Sequence, residues 1–277
     1  MDRIELVIDG KKIECTPTNL GLTNNIYKGI FNDEVVAIRI PKEETKELST
    51  FDNEHMVLPL IKELNLDANE LYYDPSTRIR ITKWINNASE YKDCFDDNKI
   101  IRAAKLIRKL HDAKIITHNE FNCISLLREY QSKIQASLFP LEKYYYLIDK
   151  VKQIHNPHIL CHNDLVSGNL LFTDSKDYLI DYEYAKDNDP LFDIMSFLTE
   201  NNITDLNKRQ LFYQTYFETT LTDKVKHELS VYESFHNLLW CTWATMMFDL
   251  LHENIYKEIA TDKYNALQAN EKIEESI

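Results

Sequence analysis

A chain of 277 residues lies near the upper size for one hydrophobic core, so one large domain and two unequal lobes are both open. Hydrophobic residues make up 44% and charged residues 28%, which excludes disorder or a fibre as the main state. The 45 acidic residues outnumber 32 basic ones and give a formal net charge of −13, which argues against a generic nucleic-acid or anionic-membrane binder. An acidic surface suits a cationic ligand, although it also serves solubility alone.

The first 85 residues read as short strands with one helix among them. Asp9-Gly10 and Asn32-Asp33 are turn signals between alternating apolar segments. Residues 51–64 have helical periodicity, in which Pro59 is expected to kink or restart the helix. Strands are predicted at residues 4–8, 11–15, 25–31, 34–40, 70–73 and 78–85.

Beyond residue 95 the pattern is mostly helical. The longest helical stretch is expected to break near Phe139-Pro140, and the acidic C-terminal tail reads as frayed. Strands first and helices later predict an α+β fold with two lobes, residues 1–85 and 86–277. Helices are predicted at residues 97–113, 121–154, 206–217 and 225–252.

Cysteine usage and the chain start indicate the compartment. Five widely scattered cysteines, an odd number with no C-x-x-C pair, fit a reducing environment and argue against a structural zinc site. No signal peptide is apparent after Met1, and the most apolar stretch, residues 238–251, is too short to span a bilayer. We therefore expect a cytoplasmic protein without membrane insertion.

One polar cluster interrupts the helical pattern at residues 158–184. Three short apolar segments, which read as strands, bracket Asp164, Asn169 and Asp181. Two hard oxygen ligands and one further carboxylate are the set that phosphoryl transfer from Mg-ATP requires, because the metal prefers oxygen and the attacking hydroxyl needs a proton acceptor. Each residue alone is also an ordinary turn residue, and only the full constellation favours the catalytic interpretation.

The same cluster resembles a known family. His162-Asn163-Asp164-x4-Asn169, then Ile180-Asp181-Tyr182-Glu183-Tyr184-Ala185, then Asn188-Asp189-Pro190-x2-Asp193, is similar to the choline/ethanolamine kinases, within the aminoglycoside-phosphotransferase group of the protein-kinase-like fold. The segments Leu20-Gly21-Leu22-Thr23-Asn24-Asn25 and Val36-Ala37-Ile38-Arg39-Ile40-Pro41 resemble the phosphate loop and the V-x-R-x-P strand of the bacterial choline kinases. The resemblance implies a small antiparallel N-terminal lobe that binds nucleotide and a larger, mainly helical C-terminal lobe with the catalytic loop and the acceptor pocket.

The resemblance also implies roles for individual residues. Asp164 would be the catalytic base, and Asn169 and Asp181 would hold Mg²⁺. Arg39 would contact the phosphates of ATP and pair with Glu54. The remaining expected sites are the phosphate loop Thr23, Asn24 and Asn25, the adenine-binding backbone of Lys83, Trp84 and Ile85, and the supporting residues His162, Asn163, Asp189 and Asp193. Three zinc ligands at His155, His158 and His162 are disfavoured, because the histidines straddle Pro157 and a strand.

The acceptor is expected to be a small cationic alcohol, with choline first. A quaternary ammonium donates no hydrogen bond and is held by aromatic faces. Trp240 and Trp243 lie three residues apart on a predicted helix and resemble the W-x-x-W of choline kinases, although aromatic residues at this spacing also occur as plain core. Tyr184 and Glu183 are the other expected acceptor contacts.

Several alternatives stay open at this stage. The acceptor could be ethanolamine, thiamine or an aminoglycoside, for which Glu271, Glu274 and Glu275 would be candidate carboxylates. The chain could also be a non-catalytic nucleotide-binding module. A protein kinase is disfavoured because no activation segment closing in A-P-E follows Asp181.

Overall fold

The computed structural model describes residues 3–18, 20–21, 24–43 and 51–274, with only the backbone described at residues 51, 52 and 272–274. The chain divides into two compact units. The first unit comprises the residues up to Ala113 together with Val166–Ala185, and the second comprises Lys114–Leu165 and Lys186–Ile277. The lobe boundary at residue 85 follows the change from strand to helix patterns in the sequence, and it stays a prediction.

The first unit is built on an antiparallel sheet in the order β1-β2-β3-β4-β6-β5 among the described residues. Asp9 and Gly10 both have positive φ, as do Asn32 and Asp33, so both predicted turns have the backbone twist that suits tight hairpins. The strands are β1 (Ile4–Ile8), β2 (Lys11–Pro17), β3 (Asn24–Phe31), β4 (Glu34–Pro41), β5 (Glu70–Asp74) and β6 (Ile79–Lys83).

One face of this sheet carries the unit's apolar core. Alternate positions along the strands are buried, because side chains in a strand point to opposite faces. Core residues contributed by the sheet are Ile8, Ile13, Cys15, Phe31, Val36, Ile38 and Ile81.

Two helices and a small sheet complete the first unit. Helix α1 (Phe51–Ile61) continues through Pro59 and passes into a 3₁₀ turn at Lys62–Leu64, so the expected interruption occurs two residues later than the proline. The other elements are β7 (Ser89–Glu90), α2 (Lys99–Asp112), β9 (Leu170–Phe172) and β10 (Asp177–Leu179), with the strand order β10-β9-β7.

The second unit is mainly helical around one long buried helix. Its elements are α3 (Cys123–Lys133), α4 (Tyr146–Lys152), β8 (Ile159–Cys161), β11 (Lys186–Asn188), α5 (Pro190–Glu200), α6 (Leu206–Phe217), α7 (Asp223–Leu251) and α8 (Asn254–Glu274). The central helix α7 is buried over most of its length. Aromatic rings pack against one another in this core, with the Phe197 and Phe212 centroids 5.1 Å apart.

The structure corrects one expectation about this unit and confirms another. The C-terminal segment is not frayed up to residue 274, since it forms α8, and Glu271 accepts hydrogen bonds from Lys143 Nζ at 2.8 Å and Tyr144 Oη at 3.2 Å. Glu275 lies outside the described residues. The break expected near Phe139-Pro140 in the helical stretch 121–154 is confirmed. The stretch forms two helices, α3 and α4, separated by a segment that contains Pro140 and a 3₁₀ turn at Glu142–Tyr144.

Candidate active site

The strand arginine and the helix glutamate form a buried ion pair in the first unit. Both guanidinium Nη atoms of Arg39 donate to Glu54, with Nη1 3.2 Å from Oε1. Glu54 is completely buried and Arg39 is 8% exposed. Burial by itself would raise the pKa of the Glu54 carboxyl, but Arg39 and Arg80 hold it well below its usual range, so Glu54 is a carboxylate.

Glu54 has further partners that the sequence did not suggest. Arg80 Nη1 donates to Glu54 Oε1 at 2.9 Å, and the Tyr182 N–H donates to the same oxygen at 3.3 Å. Arg80 was missed because a lone arginine in a strand carries no motif. The available signal was its position between two apolar residues, Ile79 and Ile81, where a charge that becomes buried requires a partner.

In the first unit, a backbone hydrogen bond connects the segments that carry the two expected metal ligands. Asn169 ends a 3₁₀ turn at Ser167–Asn169, and its backbone carbonyl accepts a hydrogen bond from the Ile180 N–H at 3.0 Å. Asp181 follows directly, with a left-handed φ of 66°. Its carboxylate is 26% exposed and accepts a hydrogen bond from Arg39 Nη1 at 2.6 Å. The structure therefore brings Asp181 to the Arg39–Glu54 pair, a contact that the sequence did not indicate.

The expected phosphate loop is described in part. Gly21 has a φ of 85°, and a Cβ there would lie 2.6 Å from the Asn24 carbonyl oxygen, so only glycine suits this turn. Asn24 is buried and Asn25 is exposed at the start of β3, opposite Pro41 and Ile40 of β4. Thr23 lies outside the described residues.

The expected adenine-binding stretch follows β6. The Lys83 N–H donates to the Asn69 carbonyl at 2.8 Å and the Trp84 N–H to the Val35 carbonyl at 2.9 Å. A hydrogen bond between adenine and this stretch would therefore use other groups, such as those of the half-buried Ile85. The exposed Lys83 side chain forms an ion pair with Glu34.

The second unit holds Asp164 and its supports. Asp164 is half-buried and follows β8. Asp193 on α5 accepts hydrogen bonds from the His162 N–H through Oδ2 at 2.7 Å and from the Asn163 N–H through Oδ1 at 2.5 Å. These bonds hold the backbone directly before Asp164, where Asn163 has a left-handed φ of 65°.

Two further side chains hold the backbone on the other side of Asp164. Ser196 Oγ accepts a hydrogen bond from the Leu165 N–H at 2.9 Å, and Asn201 Nδ2 donates to the Leu165 carbonyl at 2.8 Å. Asp189 caps α5 by accepting from the Leu191 N–H, and it also accepts from Tyr232 Oη at 2.9 Å. Ser196, Asn201 and Tyr232 were not anticipated from the sequence, because no local pattern links them to the loop.

The paired tryptophans lie on α7 with their rings edge to face, 5.8 Å apart at an angle of 82°. Trp240 is 7% exposed and Trp243 is half-buried. Trp240 Nε1 donates to His236 Nε2 at 2.9 Å, and Tyr256 of α8 packs edge-on against Trp243 at 5.6 Å. The described structure therefore brings the tryptophans together, with His236 and Tyr256 as unanticipated neighbours.

The other expected acceptor contacts lie in the first unit. Glu183 is buried and Tyr184 is half-buried, in the segment directly after Asp181. Asn53 of α1 holds this segment through a hydrogen bond from Nδ2 to the Ala185 carbonyl.

These observations define a class of protein. A small antiparallel sheet with a strand arginine paired to a helix glutamate, and loops that carry Asp164, Asn169 and Asp181, are the elements of a protein-kinase-like phosphotransferase. A sequence model of the choline/ethanolamine kinases matches residues 16–268. The chain belongs to the choline/ethanolamine kinase family, and it is a small-molecule kinase that acts on an alcohol group.

Individual relatives agree with this assignment. Protein LicA of Haemophilus influenzae is 24% identical over 246 residues, which cover 81% of this chain and 70% of LicA. A choline/ethanolamine kinase family protein from Mesorhizobium loti superposes with a TM-score of 0.76 at 20% identity, over 92% of this chain and 87% of that one. LicA structures superpose with a TM-score of 0.74: choline kinase LicA from Streptococcus pneumoniae, at 20% identity over 92% of both chains, and LicA in complex with AMP, at 19% identity over 93% of both chains. No described helix combines the length and the apolar composition that crossing a bilayer requires.

Proposed function

We propose that this chain transfers the γ-phosphoryl group of ATP to the hydroxyl of choline and yields phosphocholine and ADP. The observation that carries the choline assignment is the edge-to-face pair of Trp240 and Trp243, whose orientation is restrained by a hydrogen bond to His236 and by contact with Tyr256. Aromatic faces attract a quaternary ammonium and lose little solvation when they meet its methyl groups. Choline keeps its charge at every pH, which also suits a chain with a net charge of −13.

The residues expected to bind the phosphates of ATP lie in the first unit. Arg39 carries a positive charge that the buried Glu54 orients, and a planar guanidinium binds phosphate oxygens through paired donors. Choline kinases of the bacterial branch, which the sequence resembles, carry an arginine in this strand. The solved LicA complex contains AMP, which supports a nucleotide in this chain as well.

Asn169 and Asp181 fit a magnesium ion. They offer oxygen donors only, they are tied through the backbone bond between Ile180 and Asn169, and the Asp181 carboxylate is partly exposed. When bound, Mg²⁺ would neutralise charge on the phosphate oxygens.

Asp164 would orient the acceptor alcohol and take its proton as the hydroxyl oxygen forms its bond to phosphorus and the bond to the ADP oxygen breaks. Asp193 and Ser196 contribute indirectly by holding the amides on either side of Asp164, so that the carboxylate keeps one orientation.

The proposal is tested with the purified chain, γ-labelled ATP, Mg²⁺ and a panel of choline, ethanolamine, thiamine and an aminoglycoside. We expect choline to have the highest kcat/KM. A better rate with ethanolamine would overturn the acceptor assignment while the kinase assignment stands. ATP binding without transfer to any member of the panel would favour a non-catalytic module.

The acceptor pocket is tested with Trp240→Leu and Trp243→Leu, which keep apolar volume and remove the π face. Each should raise the choline KM about five- to thirtyfold and leave the ATP KM nearly unchanged, because one cation–π contact contributes about 1–2 kcal/mol. Trp84→Leu, at the only other tryptophan, is the matched control and should leave the choline KM unchanged. An unchanged choline KM in both α7 variants would mean that these tryptophans are plain core.

A further inference from the structure

Two arginines face each other across the first unit's sheet. In the antiparallel pairing of β4 with β6, Arg39 lies directly opposite Arg80. Arg39 is 8% exposed and Arg80 is 4% exposed, so the two charges meet away from water. Like charges directly opposite in a ladder are destabilising, and burial removes the solvent that would screen them. This pairing therefore requires carboxylates around it.

Glu54 is the carboxylate that both arginines share. Its Oε1 accepts from Arg39 Nη1, from Arg80 Nη1 and from the Tyr182 N–H. With Arg80 in place, Glu54 Oε1 is held by a second guanidinium group besides that of Arg39. Movement of Glu54 would therefore disturb both Arg39 and the backbone next to Asp181.

The two arginines differ in their other partners. Arg80 Nε donates to Glu70 Oε2 at 2.8 Å, and Arg80 Nη2 donates to Asp67, so its guanidinium spans three carboxylates of the protein. Arg39 instead contacts Asp181, an expected metal ligand. Arg80 thus donates to carboxylates of the first unit, whereas Arg39 also contacts a residue that is expected to bind the metal.

We propose that Arg80 is a positioning residue for phosphoryl transfer: it holds the Glu54 carboxylate so that Arg39 is presented to the phosphates of ATP, and it does not itself contact the nucleotide. This inference rests on the proposed role of Arg39 in ATP binding. It does not depend on the identity of the acceptor.

The experiment compares Arg80→Lys, Arg39→Lys and the double variant with wild type. Lysine keeps the positive charge but cannot span three carboxylates, because its donors sit on one nitrogen. We expect Arg80→Lys to weaken ATP binding, measured by calorimetry in Mg²⁺ buffer, and to lower kcat/KM for ATP about tenfold, as the loss of a supporting contact commonly does. The choline KM should stay unchanged. In the double variant the loss should be close to that of Arg39→Lys alone, since the residues act as one unit.

Arg102→Lys is the matched control. Arg102 lies in the same unit and pairs with Asp177 and Asp96, away from Glu54, so its replacement should change the melting temperature but not ATP binding. If Arg80→Lys lowers only the melting temperature, or if its loss in ATP affinity multiplies fully with that of Arg39→Lys, Arg80 is a purely structural residue and the proposal is overturned.

Two further results keep the test decisive. If Arg80→Lys does not fold, Glu70→Gln is used instead, because it weakens the ion pair between Arg80 and Glu70. The proposal then requires a loss of ATP affinity smaller than that expected for Arg80→Lys. An unchanged ATP affinity in Glu70→Gln would count against the proposal. If wild type binds ATP but phosphorylates no choline, the proposed function fails, and the calorimetric comparison still decides the role of Arg80.

Discussion

At the scale of single residues, the described site depends on charges that are buried in pairs. The buried Glu54 carboxylate and the partly exposed Asp181 carboxylate both contact Arg39 and share its positive charge. A buried charge without its partner is strongly destabilising, whereas a well-bonded group of charges has a defined geometry. The arrangement therefore gives the Arg39 guanidinium a defined orientation, which its proposed contact with the phosphates of ATP requires.

Asp181→Asn tests the metal-ligand assignment. Asparagine keeps the size of the side chain and one oxygen but removes the charge, so we expect turnover to fall by at least about a hundredfold. Circular dichroism should show that the protein remains folded. Asp177→Asn, which weakens a comparable aspartate–arginine pair with Arg102, is the matched control and should leave turnover within about threefold. Turnover of Asp181→Asn within tenfold of wild type, with unchanged Mg²⁺ dependence, would rule out this role.

His236 should make stability depend on pH. Burial, and then the positive charge of Lys263, lower its pKa well below the usual value, so the ring is neutral in the folded protein. Nε2 accepts from Trp240, which leaves the proton on Nδ1, 2.8 Å from Thr199 Oγ1. The unfolded chain binds a proton at about pH 6.5 that the folded chain does not, so the free energy of unfolding falls as the pH drops below that value.

The corresponding measurement is the melting temperature between pH 7.5 and 5.5. His236→Gln, whose oxygen can still accept from Trp240, should lose less melting temperature than wild type as the pH falls. The corresponding difference in the slope of the free energy of unfolding is up to about 1.4 kcal/mol per pH unit. His227→Gln, at an exposed position of the same helix, should follow the wild-type curve. Equal slopes in all three proteins would show that His236 does not carry the effect.

At the scale of elements, α5 organises the catalytic loop. Asp189 begins the helix, and Asp193 and Ser196, three residues apart on one face, accept the amides of residues 162, 163 and 165. A loop held at both sides by a rigid helix places its aspartate reproducibly. The helix therefore holds the backbone on either side of Asp164, the proposed catalytic base.

Asp193→Asn tests this support. Asp193 uses both carboxylate oxygens, one for each amide, whereas asparagine can accept through only one, so an N–H group would face an N–H group. We expect kcat to fall about tenfold or more with little change in either KM, and stability to fall by about 1–3 kcal/mol. Asp205→Asn is the matched control, because Asp205 accepts two amides through a single oxygen that asparagine retains. An unchanged kcat in Asp193→Asn would refute the positioning role.

At the scale of the whole molecule, the charge balance bears on the choice of substrate. A net charge of −13 favours approach of a cation and opposes approach of an anion, and salt screens both effects beyond about 10 Å at 0.1 M. Each of the five cysteines lies in the described part of the chain and is a buried free thiol. The net negative charge arises from the excess of 45 acidic residues over 32 basic ones.

Salt should consequently lower kcat/KM for choline. Between about 0.05 and 0.3 M NaCl we expect a decrease of about threefold, because screening weakens the attraction of the cation. The neutral isostere 3,3-dimethylbutan-1-ol is the matched control, since it has the shape of choline without the charge, and its weaker kcat/KM should not vary with salt. Parallel salt dependence for both alcohols would show that charge does not steer the acceptor.

The sequence by itself determined the local elements and the residues with strong motifs. Turn residues at Asp9-Gly10 and Asn32-Asp33 specified the hairpins, and the spacing of Asp164, Asn169 and Asp181 indicated the chemistry, because both signals operate over a few neighbouring positions. Helix α8 was missed because its apolar positions are recognisable only once α7 is present to cover them.

Only the tertiary structure decided how distant side chains support those motifs. Arg80 meets Arg39 through strand register, Glu54 reaches Tyr182 across 128 positions, and Asp193 accepts amides some 30 positions earlier. Contacts of this kind depend on register, packing and burial, which are properties of the folded chain rather than of any short segment. A buried charge or amide must find its partner wherever the fold brings one. For that reason Arg80, Ser196 and Asn201 carry no local sequence signature. Asp193, by contrast, belongs to a recognisable motif whose partners only the fold reveals.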